Sequence, residues 1–305
     1  MLHLRSFAGA SLLIVAQAIL MQPALSAGAD ATDDVASPSF EWQTDYANAV
    51  RQAIEERKML VIYFEGPQGC THCRSFEQQT LSDPQIHAQL SKHLALRIPT
   101  TTQITVGGKL ITVLRHAAFA EMLNCPGIAI LDMTDKTSPH FHQVVSVLPF
   151  TSHRFATSSY ASKRAVSTIL NLPAGTLTQR SMVFAVRMHP EAPASSQGAA
   201  DPALLEEAKS HSNYQASIGV QGHHHWDSRF QRINGKLPAG MMAQEVVAES
   251  WPGENLLEAC EDCVHSWRQS PGHWGAVRSR QSRFGFDIRR GRNGIWYATG
   301  IFGRR

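Results

Sequence analysis

The chain has 305 residues, 43% of them hydrophobic and 17% charged, with a formal net charge of +3. This is globular composition, long enough for two cored domains, and the small charge selects no class of partner. Beyond the N-terminus no stretch is apolar enough to span a bilayer, which argues against a polytopic membrane protein.

Arg5 precedes an apolar run over residues 12–21, broken only by Gln17, and small residues follow at Ala24, Ser26, Ala27 and Ala29. The pattern predicts a secretory signal over 1–29 and a periplasmic or secreted protein that is not membrane-spanning after cleavage. The alternative is an uncleaved anchor; no cysteine stands at the cleavage region to carry lipid. Cys70, Cys73, Cys125, Cys260 and Cys263 all follow it. In an oxidising compartment an odd count leaves at least one thiol unpaired or transiently engaged.

Thr44 is a candidate cap for a helix with Ala47, Val50, Ala53 and Ile54 on one face. The apolar run 60–64, bounded by Gly66, Pro67 and Gly69, suits a buried parallel strand. A helix is then expected to open at Cys70-Thr71-His72-Cys73. Free N–H groups and the positive dipole end there favour a thiolate, so Cys70 is the expected nucleophile and Cys73, one turn on, the resolving thiol. A protonated His72 would lower the Cys70 pKa further.

Asp83-Pro84 predicts an N-cap and first helical position, with Ile86, Leu90 and Leu94 on one face. A strand over 94–98, a loop with a hairpin over 99–108 and a short helix over 119–123 come next. Residues 128–131 read as a buried strand that 143–148 could join antiparallel, and a helix over 152–171 ends before Pro173.

This order, with CxxC opening the first helix after a strand and the step Leu81-Ser82-Asp83-Pro84, resembles the thioredoxin fold over residues 40–172. The resemblance implies thiol–disulfide oxidoreductase activity on protein disulfides or dithiols, without a cofactor. It also implies a cis-proline opposite the CxxC, for which Pro126 is the matching position. Cys125 departs from the pattern; it is either a small buried hydrophobe or an additional redox or metal-binding partner of Cys70.

Residues 173–200, rich in Pro, Ala, Ser and Gly, read as a linker, with 182–186 as a strand of the following domain. Asp201-Pro202 repeats the cap signal ahead of Leu204, Leu205, Ala208 and His211 or Ser212. Near the end Phe284, Phe286 and Ile288 alternate with polar residues, and Asn293-Gly294 leads into a second alternating run, which predicts a hairpin.

The segment Trp267-Arg268-Gln269-Ser270-Pro271-Gly272-His273-Trp274 resembles that of SCP-like, or CAP, domains, over residues 201–305. The expected architecture is an α/β thioredoxin-like domain followed by an α+β domain, an α-β-α sandwich. The second resemblance implies a cleft with His223 or His224, His273 and Glu245, able to hold a divalent metal such as zinc or to serve as a hydrogen-bonding wall. Arg268 and Gln269 stand where a further glutamate would complete the set.

Cys260-Glu261-Asp262-Cys263 is a second CxxC inside a predicted helix, either a local structural disulfide or a relay for Cys70. Nine arginines against one acid over 268–305 would attract anionic envelope glycans or form solvated hairpin faces. No nucleic-acid motif accompanies them. Three readings follow: an exported thiol–disulfide oxidoreductase with a partner- or ligand-binding second domain, a non-catalytic envelope scaffold with a structural Cys70–Cys73 disulfide, or metal-dependent chemistry in the cleft.

Overall fold

The computed structural model describes residues 40–151 and 160–305. The expected signal over 1–29, and the first part of the helix expected over 152–171, fall outside the described residues. No described helix is long and apolar enough to cross a membrane.

The first half is built on α1 (Tyr46–Glu55), β1 (Leu60–Glu65), α2 (Thr71–Ser75), α3 (Pro84–Leu90) and β2 (Leu94–Pro99). Asp45, rather than Thr44, caps α1 by accepting from the Asn48 N–H, and Asp83 caps α3 with Pro84 at its first position. A π-helical turn, Phe76–Thr80, continues α2. The hairpin β3 (Gln103–Val106) and β4 (Lys109–Thr112) stands as its own two-stranded sheet. Two 3₁₀ turns, Val113–Arg115 and Ala117–Met122, then lead to β5 (Gly127–Leu131) and β6 (Val144–Pro149).

The first sheet has the order β2-β1-β5-β6, with β1 and β2 parallel and the other pairs antiparallel. Side chains alternate across β1: Leu60, Ile62 and Phe64 join the core under α1, whereas Val61 and Tyr63 face the core on the other side. Burial on both faces explains why this strand reads as an unbroken apolar run.

After α4 (Lys163–Leu170) comes α5 (Leu177–Met188), where linker or strand was expected. It is a helix closed by a Thr176–Gln179 capping box, and residues 179–186 are all buried. The reason for the difference is burial: a helix walled on all sides has no polar face, so its apolar run cannot be told from a strand by periodicity. One buried polar residue on it, Arg180, donates to Ser146 Oγ and to the carbonyls of Ile169, Leu172 and Pro173. It thereby ties the end of α4 to β6; burial pushes its pKa down to about 10.

The second half runs β7 (Ala199–Ala200), α6 (Pro202–Ile218), α7 (Trp226–Asn234), β8 (Met242–Glu249), α8 (Leu256–Gln269), α9 (Pro271–Arg278), β9 (Arg283–Arg290) and β10 (Trp296–Arg304). Its sheet has the order β7-β9-β10-β8, with the expected β9–β10 hairpin turning at residues 291–294. On one face Leu204 and Ala208 of α6 pack with Ile233 and Ile301. On the other, Phe284, Phe286, Ile288 and Phe302 share a core with Trp267 of α8 and Phe184 of α5. That core runs on to Val61 and Cys73, so the described residues form one compact unit, in which α5 packs on β6 of the first sheet and β9 of the second, and α8 packs on α5 and the second sheet. The chain is a mixed α/β protein.

Candidate functional site

β1 delivers the chain to Gly66, and Gly69, with φ of +93°, turns it into α2. Cys70 is the N-cap of α2, in extended conformation, and its Sγ accepts from the Cys73 N–H at 3.1 Å. The two sulfurs are bonded to each other across a Cα–Cα distance of 5.3 Å. Cys73 is only 5% exposed, whereas Cys70 is half-buried, the difference in access that an attacking and a resolving thiol require. His72 is half-buried between them in sequence.

Gly66 marks where strand end, disulfide and proline loop meet. A Cβ at this position would lie 2.7 Å from Cys73 Sγ, 2.7 Å from Pro126 Cγ and 3.1 Å from Cys70 Cβ. The ring of Pro126 therefore packs beside the disulfide. The expected cis bond is not there: no peptide among the described residues is cis. The chain reverses instead through Leu123 and Asn124, both left-handed at φ 56°, and through Gly127 at φ 145°. Gly127 is obligatory, since a Cβ there would lie 2.2 Å from the Leu148 carbonyl oxygen. Pro126 O accepts from the Phe150 N–H at 2.7 Å, which fixes the loop against β6.

Cys125 is a free, half-buried thiol whose Sγ donates to Leu123 O at 3.5 Å, and burial raises its pKa. Beneath the disulfide, Phe76 packs on Tyr63 and Phe150 with ring centroids 4.8 and 5.0 Å away. Beside them Arg97 bridges Glu65 and Glu77, at 2.7 Å each, and the Tyr63 hydroxyl donates to Glu77 at 3.1 Å.

The second CxxC is built differently. Cys260 and Cys263 are free thiols, fully buried in α8, and burial raises both pKa values well above the thiol range. The local disulfide considered from sequence is absent for a geometric reason. Residues i and i+3 inside a regular helix keep their Cβ atoms about 5–6 Å apart, whereas a disulfide needs about 3.5–4.5 Å. Cys70 escapes this constraint because its own backbone lies outside the helix.

A third cluster lines a cleft in the second half. Glu245, on β8, has a side chain only 1% exposed and is contacted from three sides. His223 Nδ1 lies 3.0 Å from Oε1, His211 Nδ1 lies 3.4 Å from Oε2, and Arg229 of α7 pairs with Oε2. Burial alone would raise the Glu245 pKa, but the hydrogen bonds from His223 and Arg229 outweigh it and hold the carboxyl below its usual range. The carboxylate accepts the hydrogen bond of the His223 Nδ1–H, which orients the ring with Nε2 directed into the cleft. That Nε2 is 3.3 Å from Nε2 of His273 on α9. Burial, followed by the adjacent His223, keeps His273 below the usual imidazole pKa.

The structure thus brings His223, Glu245 and His273 together and turns His224 away, its Nε2 3.2 Å from Val220 O. Sequence reading missed two members. His211 appeared only as one of several residues on its helix face; it is 2% exposed, within 3.2 Å of Thr299 Oγ1, and burial pushes its pKa down to about 4. Arg229 carried no sequence signal. Among the described residues no group of three or more His, Cys, Asp or Glu side chains is placed to hold a metal ion. Glu245 is engaged by Arg229, so the cleft offers two imidazole nitrogens, whose spacing matches the edge of a tetrahedron with bonds of about 2.0–2.1 Å and equally an N–H···N hydrogen bond.

No family model matches the chain, and no curated protein does. Among solved structures it is similar to an outer surface protein from Borrelia burgdorferi, with 22% identity over 35% of this chain and 77% of that one, at a TM-score of 0.29.

Proposed function

We propose that the protein is an exported thiol–disulfide oxidoreductase of thioredoxin-like architecture, acting in the periplasm or outside the cell, whose CAP-like second half binds a ligand or partner. The observation that carries this reading is the half-buried Cys70 sulfur at the mouth of α2, bonded to buried Cys73 and flanked by Gly66 and Pro126. The sheet order β2-β1-β5-β6, with the cysteines directly after the central strand, supports it further.

In the oxidised protein a substrate thiolate attacks Cys70 Sγ. The Cys70–Cys73 bond breaks, a mixed disulfide forms and the electron pair leaves on Cys73. A second substrate thiolate then attacks the substrate sulfur of that mixed disulfide and releases the Cys70 thiolate, so two electrons pass to the protein; the reverse sequence reduces a substrate disulfide. Direction depends on the potential of the pair against its partner.

The Cys73→Ser variant is expected to accumulate mixed disulfides through Cys70, detected by mass spectrometry after acid quenching, and Cys70→Ser to accumulate none. Redox titration of the intact pair should give a potential above about −300 mV. A lower potential together with an empty trap would leave a structural disulfide and the scaffold reading.

The His223–His273 spacing admits a second reading of the cleft, as a two-imidazole metal site. A divalent ion would be held by the Nε2 atoms of His223 and His273, and zinc there would supply Lewis-acid chemistry. The metal-free protein is expected to take up one zinc equivalent by calorimetry, and His273→Ala to lose it. Equal uptake by the variant, or none by the parent, would leave the pair as a hydrogen-bonded wall.

A further inference from the structure

The geometry points to a membrane-docking edge at one end of the second sheet, where an apolar loop stands among unpaired arginines; the partner it fits is a bilayer surface carrying anionic lipids. The edge shares no residue with the disulfide or the imidazole pair.

The nine arginines over 268–305 fall into separate groups in space. Arg268 pairs with Glu191 and Arg289 with Asp287, while Arg290 and Arg292 lie at the turn between β9 and β10. The others come to the opposite end of the sheet, because β9 starts there at Arg283 and antiparallel β10 ends there at Arg304 and Arg305. Arg278 closes α9, which packs on β8, and Arg280 lies on the short step from α9 to β9. Arg283 pairs with Asp201 at 2.6 Å. Arg278, Arg280, Arg304 and Arg305 are exposed and enter no ion pair among the described residues.

The loop from α7 to β8 reaches the same end. Met242 opens β8 directly opposite Arg304, so their two side chains leave the same face of the sheet. A Cβ on Gly303 would lie 3.0 Å from Leu237 Cδ2 and 3.4 Å from Arg283 Cβ, which brings the root of the loop, the end of β10 and the start of β9 together. Both roots are pinned. Leu237 is buried and its N–H donates to Ile233 O at 3.1 Å, and the Ala243 N–H donates to Asn234 Oδ1 at 2.8 Å. Between them runs Pro238-Ala239-Gly240-Met241-Met242, without a charged, hydroxyl or amide side chain. Met241 packs inward, whereas Pro238, Ala239 and Gly240 are exposed and Met242 is 63% exposed. Gly240, at φ +79°, has nothing within 4 Å of an added Cβ, so the tip stands clear of the protein.

Loop and arginines select one partner between them. The guanidinium groups attract anions, and a methionine held open to water gains only where an apolar medium receives it. An anionic polysaccharide would satisfy the arginines, but its hydroxyls would find no hydrogen-bonding side chain on the tip. A bilayer interface offers phosphate oxygens to the guanidinium groups and, just beneath them, acyl methylenes to Met242.

The test is co-sedimentation with vesicles of phosphatidylcholine, either alone or with a third of it replaced by phosphatidylglycerol, at physiological salt. The chain from residue 30 on is used, since it keeps the whole compact unit and lacks the apolar run over 12–21 that would enter any bilayer. Phosphatidylglycerol should raise its partition about tenfold or more, and Arg278→Ala and Arg304→Ala should each lower that partition about fivefold, the effect of one basic residue at an anionic surface. Met242→Ser should lower it about fourfold, the value of one buried methylene. Arg292→Ala, at the other end of the sheet, should bind as the parent does, and all four variants should keep the parent's circular dichroism. Equal binding to the two vesicles, parent-like binding by Met242→Ser, or a loss in Arg292→Ala as large as in Arg304→Ala would overturn the assignment. Binding of a heparin tetrasaccharide by the parent and Met242→Ser alike, with no binding to vesicles, would overturn it in favour of a polyanionic glycan.

Discussion

Replacing Glu245 by Ala is expected to cost about 3–5 kcal/mol of folding stability, the range for removing one partner of a buried ion pair. The carboxylate lies with 1% of its side chain exposed, and Arg229 with 8%. Without Glu245, the guanidinium would keep the His224 carbonyl at 3.4 Å and the face of Trp226, 5.5 Å from the ring centroid, neither of which neutralises its charge. The imidazoles of His211 and His223 would lose their shared acceptor as well. Glu245→Gln retains shape and one acceptor and should cost less, about 1–3 kcal/mol. Urea unfolding at neutral pH reads both. A double variant with Leu at 245 and Met at 229 should recover much of the loss, because the desolvated charge is then absent. An alanine variant within about 1 kcal/mol of the parent, the size of one surface pair, would mean that the cleft is wetter than its packing indicates.

Gly285→Ala is expected to be as damaging for a different reason. Gly285 is the point on β9 where α6 crosses closest: a Cβ would lie 2.3 Å from Leu204 C, 2.4 Å from Leu205 N and 2.5 Å from Leu204 O. All three are backbone atoms, so no rotamer change can relieve the overlap and the first turn of α6 must lift off the sheet. The cost should exceed about 3 kcal/mol, the upper end of ordinary overpacking. Gly275→Ala in α9 is the matched control, with nothing within 4 Å of its added Cβ. It should stabilise by about 0.4–1 kcal/mol through the unfolded chain. Similar melting of the two variants would show that α6 does not bear on Gly285.

What could be read from the chain beforehand was local. Asp83-Pro84 and Asp201-Pro202 start helices because a cap and a proline need only their neighbours. The same holds for the turn that joins β9 to β10. The CxxC at the N-terminus of α2 was legible because the run before it is apolar and the residues between are turn-formers. Features set by distant contacts were not. α5 lacks a polar face because two sheets wall it, and only its Thr176–Gln179 capping box could have separated helix from strand. Arg229 finds Glu245 16 residues on, across α7 and β8, and nothing in the spacing announces it. The free state of Cys260 and Cys263 follows from their helical backbone, which the four-letter motif does not encode.

The place of α5 bears on how such a chain can be divided. A cut at residue 172, where composition alone suggests a seam, would leave β6 without the helix that covers it. A cut after residue 188 would instead strip that helix's other side from β9 and α8. Each half borrows its interior from its neighbour, so the two were shaped as a matched pair, and neither is a cassette that could be exchanged for a stranger without rebuilding the wall between them.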